Sequence, residues 1–198
     1  TTESVALRKG DFFLSTSRAP LVRIVRNVYR NNRGRGLVLF SKGVDVRGNN
    51  ISHTSSAGVE LFSGNCVGQT FTEGPFASDV TIEGNTFVGA AAVTPRGMVH
   101  IAACRAVAGV HGLPLANATS IFVGPGQVYS NISIENNNFV HDSVFQAAPS
   151  VYGSVTVGLV VENNSVSLDK QGAKVPAADF CLFANANQRV AGNDCTTL

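Results

Sequence analysis

A short pattern of apolar and polar positions recurs six times along the chain. Each copy has two apolar residues separated by one residue, then an asparagine three positions later, and a further apolar residue two positions after that. Apolar residues at every second position are typical of a β-strand with one buried face. The copies are VRIVRNVY at 22–29, VDVRGNNI at 44–51, VTIEGNTF at 80–87, ISIENNNF at 132–139, LVVENNSV at 159–166 and the weaker QRVAGNDC at 188–195.

A second strand-like unit follows most copies. Each period therefore contains two short strands, one from each kind of unit, and the closest copies are 22 residues apart. Such a period forms one coil that is too thin to bury its own apolar face, so the coils must stack. We predict an all-β fold, a right-handed parallel β-helix, in which residues 1–198 form a single domain or a fragment of a longer β-helix. The units are GLVLF at 36–40, GVELF at 58–62, GMVHI at 97–101, TSIFV at 119–123 and DFCLF at 179–183, with GDFFL at 10–14 before the first copy.

The asparagine shared by the six copies is predicted to be structural. Asparagine tolerates left-handed backbone angles at turns, and stacked asparagine side chains can form hydrogen bonds along a ladder. We expect one asparagine per coil, largely buried, along one edge of the β-helix. The six residues are Asn27, Asn49, Asn85, Asn137, Asn164 and Asn193.

The composition agrees with β-structure and excludes several protein classes. Charged residues make up 14% of the chain, against about 25% in an average soluble domain, which excludes a disordered chain and a highly charged helical bundle. No apolar run reaches the roughly 18 residues that a membrane span needs. The four cysteines lack the close spacing of a CxxC-type metal site. No metal or cofactor is therefore predicted.

The net charge of +2 is unevenly distributed. Residues 1–50 contain ten Lys/Arg and three Asp/Glu, whereas residues 51–198 contain five and ten. Such asymmetry marks a polyanion-binding end in some proteins, and in others the arginines simply cover exposed strand faces. No recognisable nucleic-acid-binding motif is present, so a nucleic acid is not the expected partner.

Stacked coils place equivalent residues about 4.8 Å apart on the outer surface. Arg23 and Asp45 are predicted to be neighbours in one such column. A second column, either a paired-carboxylate site or a solvated stripe, is predicted to hold Arg47, Glu83, Glu135 and Glu162. A third column, which would bring Glu60 close to His100, is predicted to hold Val38, Glu60, His100, Phe122 and Cys181.

An insertion beside the third column supplies further ionisable groups. It covers residues 63–79, SGNCVGQTFTEGPFASD, and carries Glu73 and Asp79. Together with Glu60 and His100, these residues provide the groups that acid–base catalysis needs. The alternative is four polar side chains on an ordinary exposed face.

Three segments carry a resemblance to a known family. NNRGRG at 31–36, the VDVRGNNIS repeat and SGNCVGQTFTEGPFASDVTIEGNTF at 63–87 are similar to the inverting α-1,3-galactosidases of the β-helix type. That family carries a Gly-Asp turn, an aromatic-Glu-Ser-Gly stretch and an Asp-Val pair at the start of the next strand. The resemblance covers about residues 27–167 and corresponds to the later coils of the family's catalytic region. The matching positions read Gly64-Asn65, Phe71, Glu73, Gly74 and Asp79-Val80.

The resemblance implies inverting hydrolysis of terminal α-galactosides. One carboxylic acid protonates the leaving oxygen and one carboxylate activates water, with the two groups about 6.5–9.5 Å apart. Glu73 and Asp79 are the best catalytic candidates by position, and Glu60 is the third. Asn65 stands where the family has an aspartate, and a neutral amide cannot act as a general base, so impaired hydrolysis is expected. The candidates for contact with the sugar are Asn65, Phe71, His100, Arg33 and Arg35.

Other functions remain open at this stage. The chain is alternatively a non-catalytic glycan-binding or structural β-helix, a module of a larger cell-surface or secreted protein. A polysaccharide lyase acting on uronates is a third hypothesis, suggested by the basic N-terminal stretch, although no Asp cluster for calcium is apparent. A carbohydrate partner and an extracellular or cell-surface location are favoured. Uncovered ends of a short β-helix would lead to self-association or continue into a longer parent chain.

Overall fold

The computed structural model describes residues 21–62, 77–93, 97–102, 129–141, 150–153, 156–168, 181–183 and 188–191. Within these residues the fold is all-β, with sixteen short strands and no helix, and hence no helical segment long and apolar enough to cross a membrane. The strands are β1 (Val22–Val25), β2 (Val28–Arg30), β3 (Leu37–Leu39), β4 (Lys42–Arg47), β5 (Asn50–Ser52), β6 (Val59–Phe62), β7 (Ser78–Glu83), β8 (Thr86–Val88), β9 (Val99–Ala102), β10 (Tyr129–Glu135), β11 (Asn138–His141), β12 (Val151–Gly153), β13 (Thr156–Glu162), β14 (Ser165–Leu168), β15 (Cys181–Phe183) and β16 (Gln188–Ala191).

The strands form three separate parallel sheets. The first sheet has the order β1-β4-β7-β10-β13-β16, the second β2-β5-β8-β11-β14, and the third β3-β6-β9-β12-β15. Every recorded strand pair is parallel. Because each sheet takes every third strand, the chain visits the three sheets in turn and then returns beside the strand from which it started.

The strand register follows the sequence repeat. In the first sheet Val22 pairs with Val44, Val44 with Val80, Val80 with Ile132 and Ile132 with Leu159. These are the first apolar positions of the first five copies, so the prediction that equivalent residues stack is confirmed for them.

Apolar residues on the inner face of the strands form one core. Val46, Leu61 and Ile82 are completely buried. Phe87 and Phe139, from neighbouring strands of the second sheet, stack with ring centroids 5.0 Å apart. Burial is less complete in the first strands, where the inward residues are only partly buried. They are Val22, Ile24, Tyr29 and Leu37.

The repeated asparagines form a continuous hydrogen-bonded ladder. Oδ1 of Asn85 accepts hydrogen bonds from the backbone N–H and from Nδ2 of Asn49, both at 2.9 Å. Nδ2 of Asn85 donates to Oδ1 of Asn137 and to the carbonyl oxygen of Val46. The same arrangement joins Asn27 to Asn49 and Asn137 to Asn164.

The predicted burial of the ladder is confirmed for its inner members and wrong for Asn27. Asn49, Asn85 and Asn137 are each 1% exposed, and Asn164 is also buried. Asn27 is exposed because, among the described residues, no coil precedes it to cover its side chain. Asn193 lies outside the described residues.

Left-handed backbone occurs beside the ladder and not within it. The residue immediately before each ladder asparagine has a positive φ, between 53° and 62°, whereas the ladder asparagines themselves do not. The left-handed conformation therefore occurs one residue before the position that the sequence predicts. The side chain of the ladder asparagine forms hydrogen bonds to the asparagines of neighbouring coils. The five residues are Arg26, Gly48, Gly84, Asn136 and Asn163.

Candidate functional site

The described part of the structure contains five of the eight predicted site residues. Glu60, His100 and Arg35 come together on the third sheet, whereas Asp79 lies in the first sheet and Arg33 in a turn. No described contact joins Asp79 to Glu60. Glu73, Asn65 and Phe71 lie outside the described residues, as does all of 63–76.

Glu60 and His100 lie opposite each other on adjacent strands β6 and β9, as the repeat alignment predicts. Val59 and Leu61, on either side of Glu60, belong to the core, so strand alternation directs the Glu60 side chain to the opposite face of the sheet. Nδ1 of His100 lies 2.8 Å from Oε1 of Glu60. An ionised carboxylate can only accept hydrogen bonds, so Nδ1 is the donor in this pair.

Arg35 completes the cluster from the turn that precedes β3. Its Nε contacts Oε2 of Glu60 as an ion pair, and its guanidinium carbon lies 5.2 Å from the centre of the Phe62 ring. The sequence predicts Arg35 as a donor to sugar hydroxyls but does not indicate its pairing with Glu60. The pairing crosses between coils at a turn, where the strand repeat gives no register.

The burial of Glu60 differs from the expected exposed column. Its side chain is 0% exposed, that of His100 is 10% exposed and that of Arg35 is 32% exposed. A catalytic acid must touch the leaving oxygen of the substrate. In this conformation Glu60 instead contacts Arg35 and His100 and holds the orientation of both, while Arg35 offers the accessible polar surface of the cluster.

Asp79 is exposed and anchored by two neighbours. Oδ1 accepts a 2.8 Å hydrogen bond from Nδ2 of Asn131, and Oδ2 lies 3.5 Å from Nζ of Lys42. Its φ of 52° is left-handed, which aspartate tolerates better than most residues. The carboxylate is 42% exposed, so a ligand in solvent can reach it.

Arg33 occupies an exposed turn organised by its neighbour. Oδ1 of Asn32 accepts a hydrogen bond from the backbone N–H of Gly34, and Nδ2 of Asn32 donates to the carbonyl oxygen of Arg35. The Asn32 side chain therefore fixes the backbone of the NNRGRG segment and leaves the Arg33 side chain in solvent.

The predicted third column is correct at its start and wrong near its end. Val38 pairs with Glu60, and Tyr152 follows His100 in the column. The next position is Leu182, not Cys181, because Cys181 pairs with Val151. The unit DFCLF is thus shifted by one residue relative to its presumed alignment, and Phe122 lies outside the described residues.

The other two predicted outer columns are present on the first sheet. Arg23 pairs with Asp45, and their side chains approach to 3.8 Å. The other column contains Arg47, Glu83, Glu135 and Glu162 in register.

Arg47 is the basic residue of that column and lies next to Glu83. Its Nε donates to the carboxylate of Asp45, and its Nη1 lies 2.7 Å from Oε2 of Glu83. The hydrogen bond with Asp45 raises the pKa of Arg47, and the charges of Asp45 and Glu83 act in the same direction. No group of three or more His, Cys, Asp or Glu side chains suited to hold a metal ion occurs among the described residues.

No protein-family model matches the chain, and no curated protein matches its sequence. The candidate site is therefore defined by the geometry of Arg35, Glu60 and His100.

Proposed function

We propose that this chain is a right-handed parallel β-helix that binds glycans ending in α-galactose. The rotation of the strands through three parallel sheets and the asparagine ladder support the β-helix. Its handedness rests on a general rule, since crossovers between parallel strands of one sheet are right-handed in about 98% of cases.

The observation that carries the proposed binding function is the cluster of Arg35, Glu60 and His100. A buried carboxylate that fixes an arginine and a histidine is a common way to pre-orient polar groups for a ligand. Arg35 contacts Glu60 through Nε as an ion pair, and the N–H groups at Nη1 and Nη2 are the donors that we propose for sugar hydroxyls. β6 leads directly into the segment 63–76 that resembles the galactosidase loop.

Hydrolysis is the second candidate function. It is supported by Glu73 and Asp79, which match the carboxylates of the galactosidase-like segment, and by the exposure of Asp79. Asn65 replaces the family's aspartate and weakens this candidate, because a neutral amide cannot take up a proton from water. The burial of Glu60 also favours binding over catalysis for that residue.

The binding proposal is tested with a glycan array followed by calorimetry on terminal α-galactosides. Arg35→Lys keeps the charge but loses the planar fork that positions several donors, and we expect affinity to fall about tenfold. Arg47→Lys is the matched control, because Arg47 is paired with Asp45 and Glu83 on the first sheet, and should bind normally. The proposal would be overturned if the wild-type protein binds no α-galactoside, or if Arg35→Lys binds with the affinity of the wild type.

The hydrolysis candidate is tested by the release of galactose from the same glycans, with the anomer of the product recorded by NMR. Asn65→Asp restores a titratable carboxylate and should raise the rate, and Glu73→Gln should abolish whatever activity exists. If neither the wild type nor Asn65→Asp releases galactose but both bind α-galactosides, hydrolysis is excluded as the function and binding remains.

A further inference from the structure

The described residues divide sharply by charge along the chain. Residues 21–50 contain seven Lys/Arg and a single acidic residue, Asp45. The described residues from 51 to 168 contain no Lys or Arg and five carboxylates. These are Glu60, Asp79, Glu83, Glu135 and Glu162. The positive potential is therefore concentrated on the first strands of the three sheets.

Four of the seven basic side chains are already paired with carboxylates. Arg35 pairs with Glu60, Lys42 with Asp79, and Arg23 and Arg47 with Asp45. Their charges are partly or wholly neutralised within the protein.

Three arginines stand apart from these ion pairs. No described carboxylate lies within ion-pair distance of Arg26, Arg30 or Arg33, and all three side chains are exposed. We name these residues the arginine patch.

The arginine patch surrounds β2, which is an edge strand of the second sheet in the part of the chain that the structure describes. Arg26 occupies the turn before β2, Arg30 is its last residue, and Arg33 lies in the turn that follows. Arg26 and Arg33 are seven positions apart, so their Cα atoms lie at most about 25 Å from each other. Val25, immediately before Arg26, is 42% exposed, and Val28, between Arg26 and Arg30 in the sequence, is 57% exposed, so both add apolar surface beside the arginines.

We propose that the arginine patch binds an acidic polysaccharide, with uronate carboxylates or sulfate groups as the contacted charges. Arginine binds both kinds of anion through paired N–H donors. Three of the five later carboxylates, Glu60, Asp79 and Glu83, are paired with basic residues, so the positive charge left outside ion pairs on the first strands is that of the arginine patch. Tyr29, the aromatic residue of β2, is half-buried and packs against the core, so the patch lacks the exposed ring on which nucleic-acid bases stack. Arg33 is also a candidate contact for the galactoside, whereas Arg26 and Arg30 are not, so the proposal does not depend on the proposed function.

The proposal is tested by calorimetry with polygalacturonate and with a heparin-type sulfated glycan over a range of salt concentrations. Neutral galactan serves as the uncharged comparison. We expect binding that weakens as salt rises, as for other polyanions held by arginine. Arg26→Gln, Arg30→Gln and Arg33→Gln should each weaken binding about threefold or more, and the triple variant should weaken it at least tenfold.

Arg47→Gln is the control for net charge, because it also removes one positive charge but from a residue engaged with Asp45 and Glu83. It should change affinity less than twofold. The proposal fails if neither polyanion binds, if Arg47→Gln weakens binding as much as the patch variants, or if a single-stranded oligonucleotide binds more tightly than both glycans. The double variant Arg26→Gln/Arg30→Gln, which leaves Arg33 in place, should retain α-galactoside binding, so failure here is distinguishable from failure of the proposed function.

Discussion

Asn131 donates a 2.8 Å hydrogen bond from Nδ2 to Oδ1 of Asp79, although the two residues are 52 positions apart in the chain. Both have left-handed backbone, with φ values of 53° and 52°. Gly43 and Gly158, at the equivalent positions of strands β4 and β13, are also left-handed. A column of four left-handed residues therefore crosses the first sheet and places the Asp79 carboxylate at its surface.

Substitutions of Asp79 should separate this backbone role from its charge. Asp79→Val places a β-branched residue in left-handed backbone and should destabilise the fold by about 1–2 kcal/mol. Asp79→Asn keeps a side chain suited to that conformation and should cost less than about 1 kcal/mol, since the ion pair with Lys42 is exposed. Urea unfolding measures both changes. Thr81→Val, in the same strand without a positive φ, is the control, and equal stabilities of the two Asp79 variants would contradict the backbone role.

Asn85 should contribute more to stability than any exposed asparagine. Asn85→Leu removes the acceptor of two hydrogen bonds from Asn49 and leaves the buried carbonyl oxygen of Val46 without that donor. Each buried polar group left unpaired costs about 1–3 kcal/mol, so we expect a loss of at least about 2 kcal/mol by urea unfolding. Asn27→Leu, at the exposed end of the ladder, should cost clearly less. Equal losses would show that the ladder hydrogen bonds do not stabilise the inner coils.

Two glycines of the NNRGRG segment should differ in their tolerance of alanine. A Cβ on Gly36 would lie 2.4 Å from the backbone oxygen of Gly58, in the next coil, whereas a Cβ on Gly34 would have no atom within 4 Å. Backbone cannot move aside cheaply, so Gly36→Ala should cost about 1–3 kcal/mol. Gly34→Ala should stay within about 0.5 kcal/mol of wild type. Thermal unfolding of the two alanine variants tests whether adjacent coils approach each other at Gly36 and Gly58 as closely as the structure shows.

The arrangement of the strands was largely predictable because one sequence pattern repeats. The 22-residue spacing of Asn27 and Asn49 gave the pairing of Arg23 with Asp45. The pairing of Glu60 with His100 followed from their equivalent positions, each between two inward apolar residues of a strand. The one-residue shift at Cys181 was missed because that unit has apolar residues at successive positions, so its alternation does not distinguish the two registers.

The chemistry of the candidate site was less predictable than its position. Arg35 lies in a turn, outside the strand alternation, and its contact with Glu60 depends on the path of that turn. The complete burial of Glu60 likewise depends on which side chains cover the outer face of the third sheet, a property that the repeat does not encode. Turn conformation and outer-face packing are set by tertiary contacts and not by periodicity.

The asparagine ladder gives the fold a direction. At each step the preceding asparagine is the donor and the following one the acceptor, so the amide dipoles add along the stack. In a stack that depends on nearest-neighbour contacts, opening begins most easily at an end. We therefore expect amide hydrogens near Asn27 to exchange with solvent first and those around Asn85 and Asn137 last, so that deuterium uptake proceeds from the Asn27 end toward the inner coils instead of occurring at one common rate.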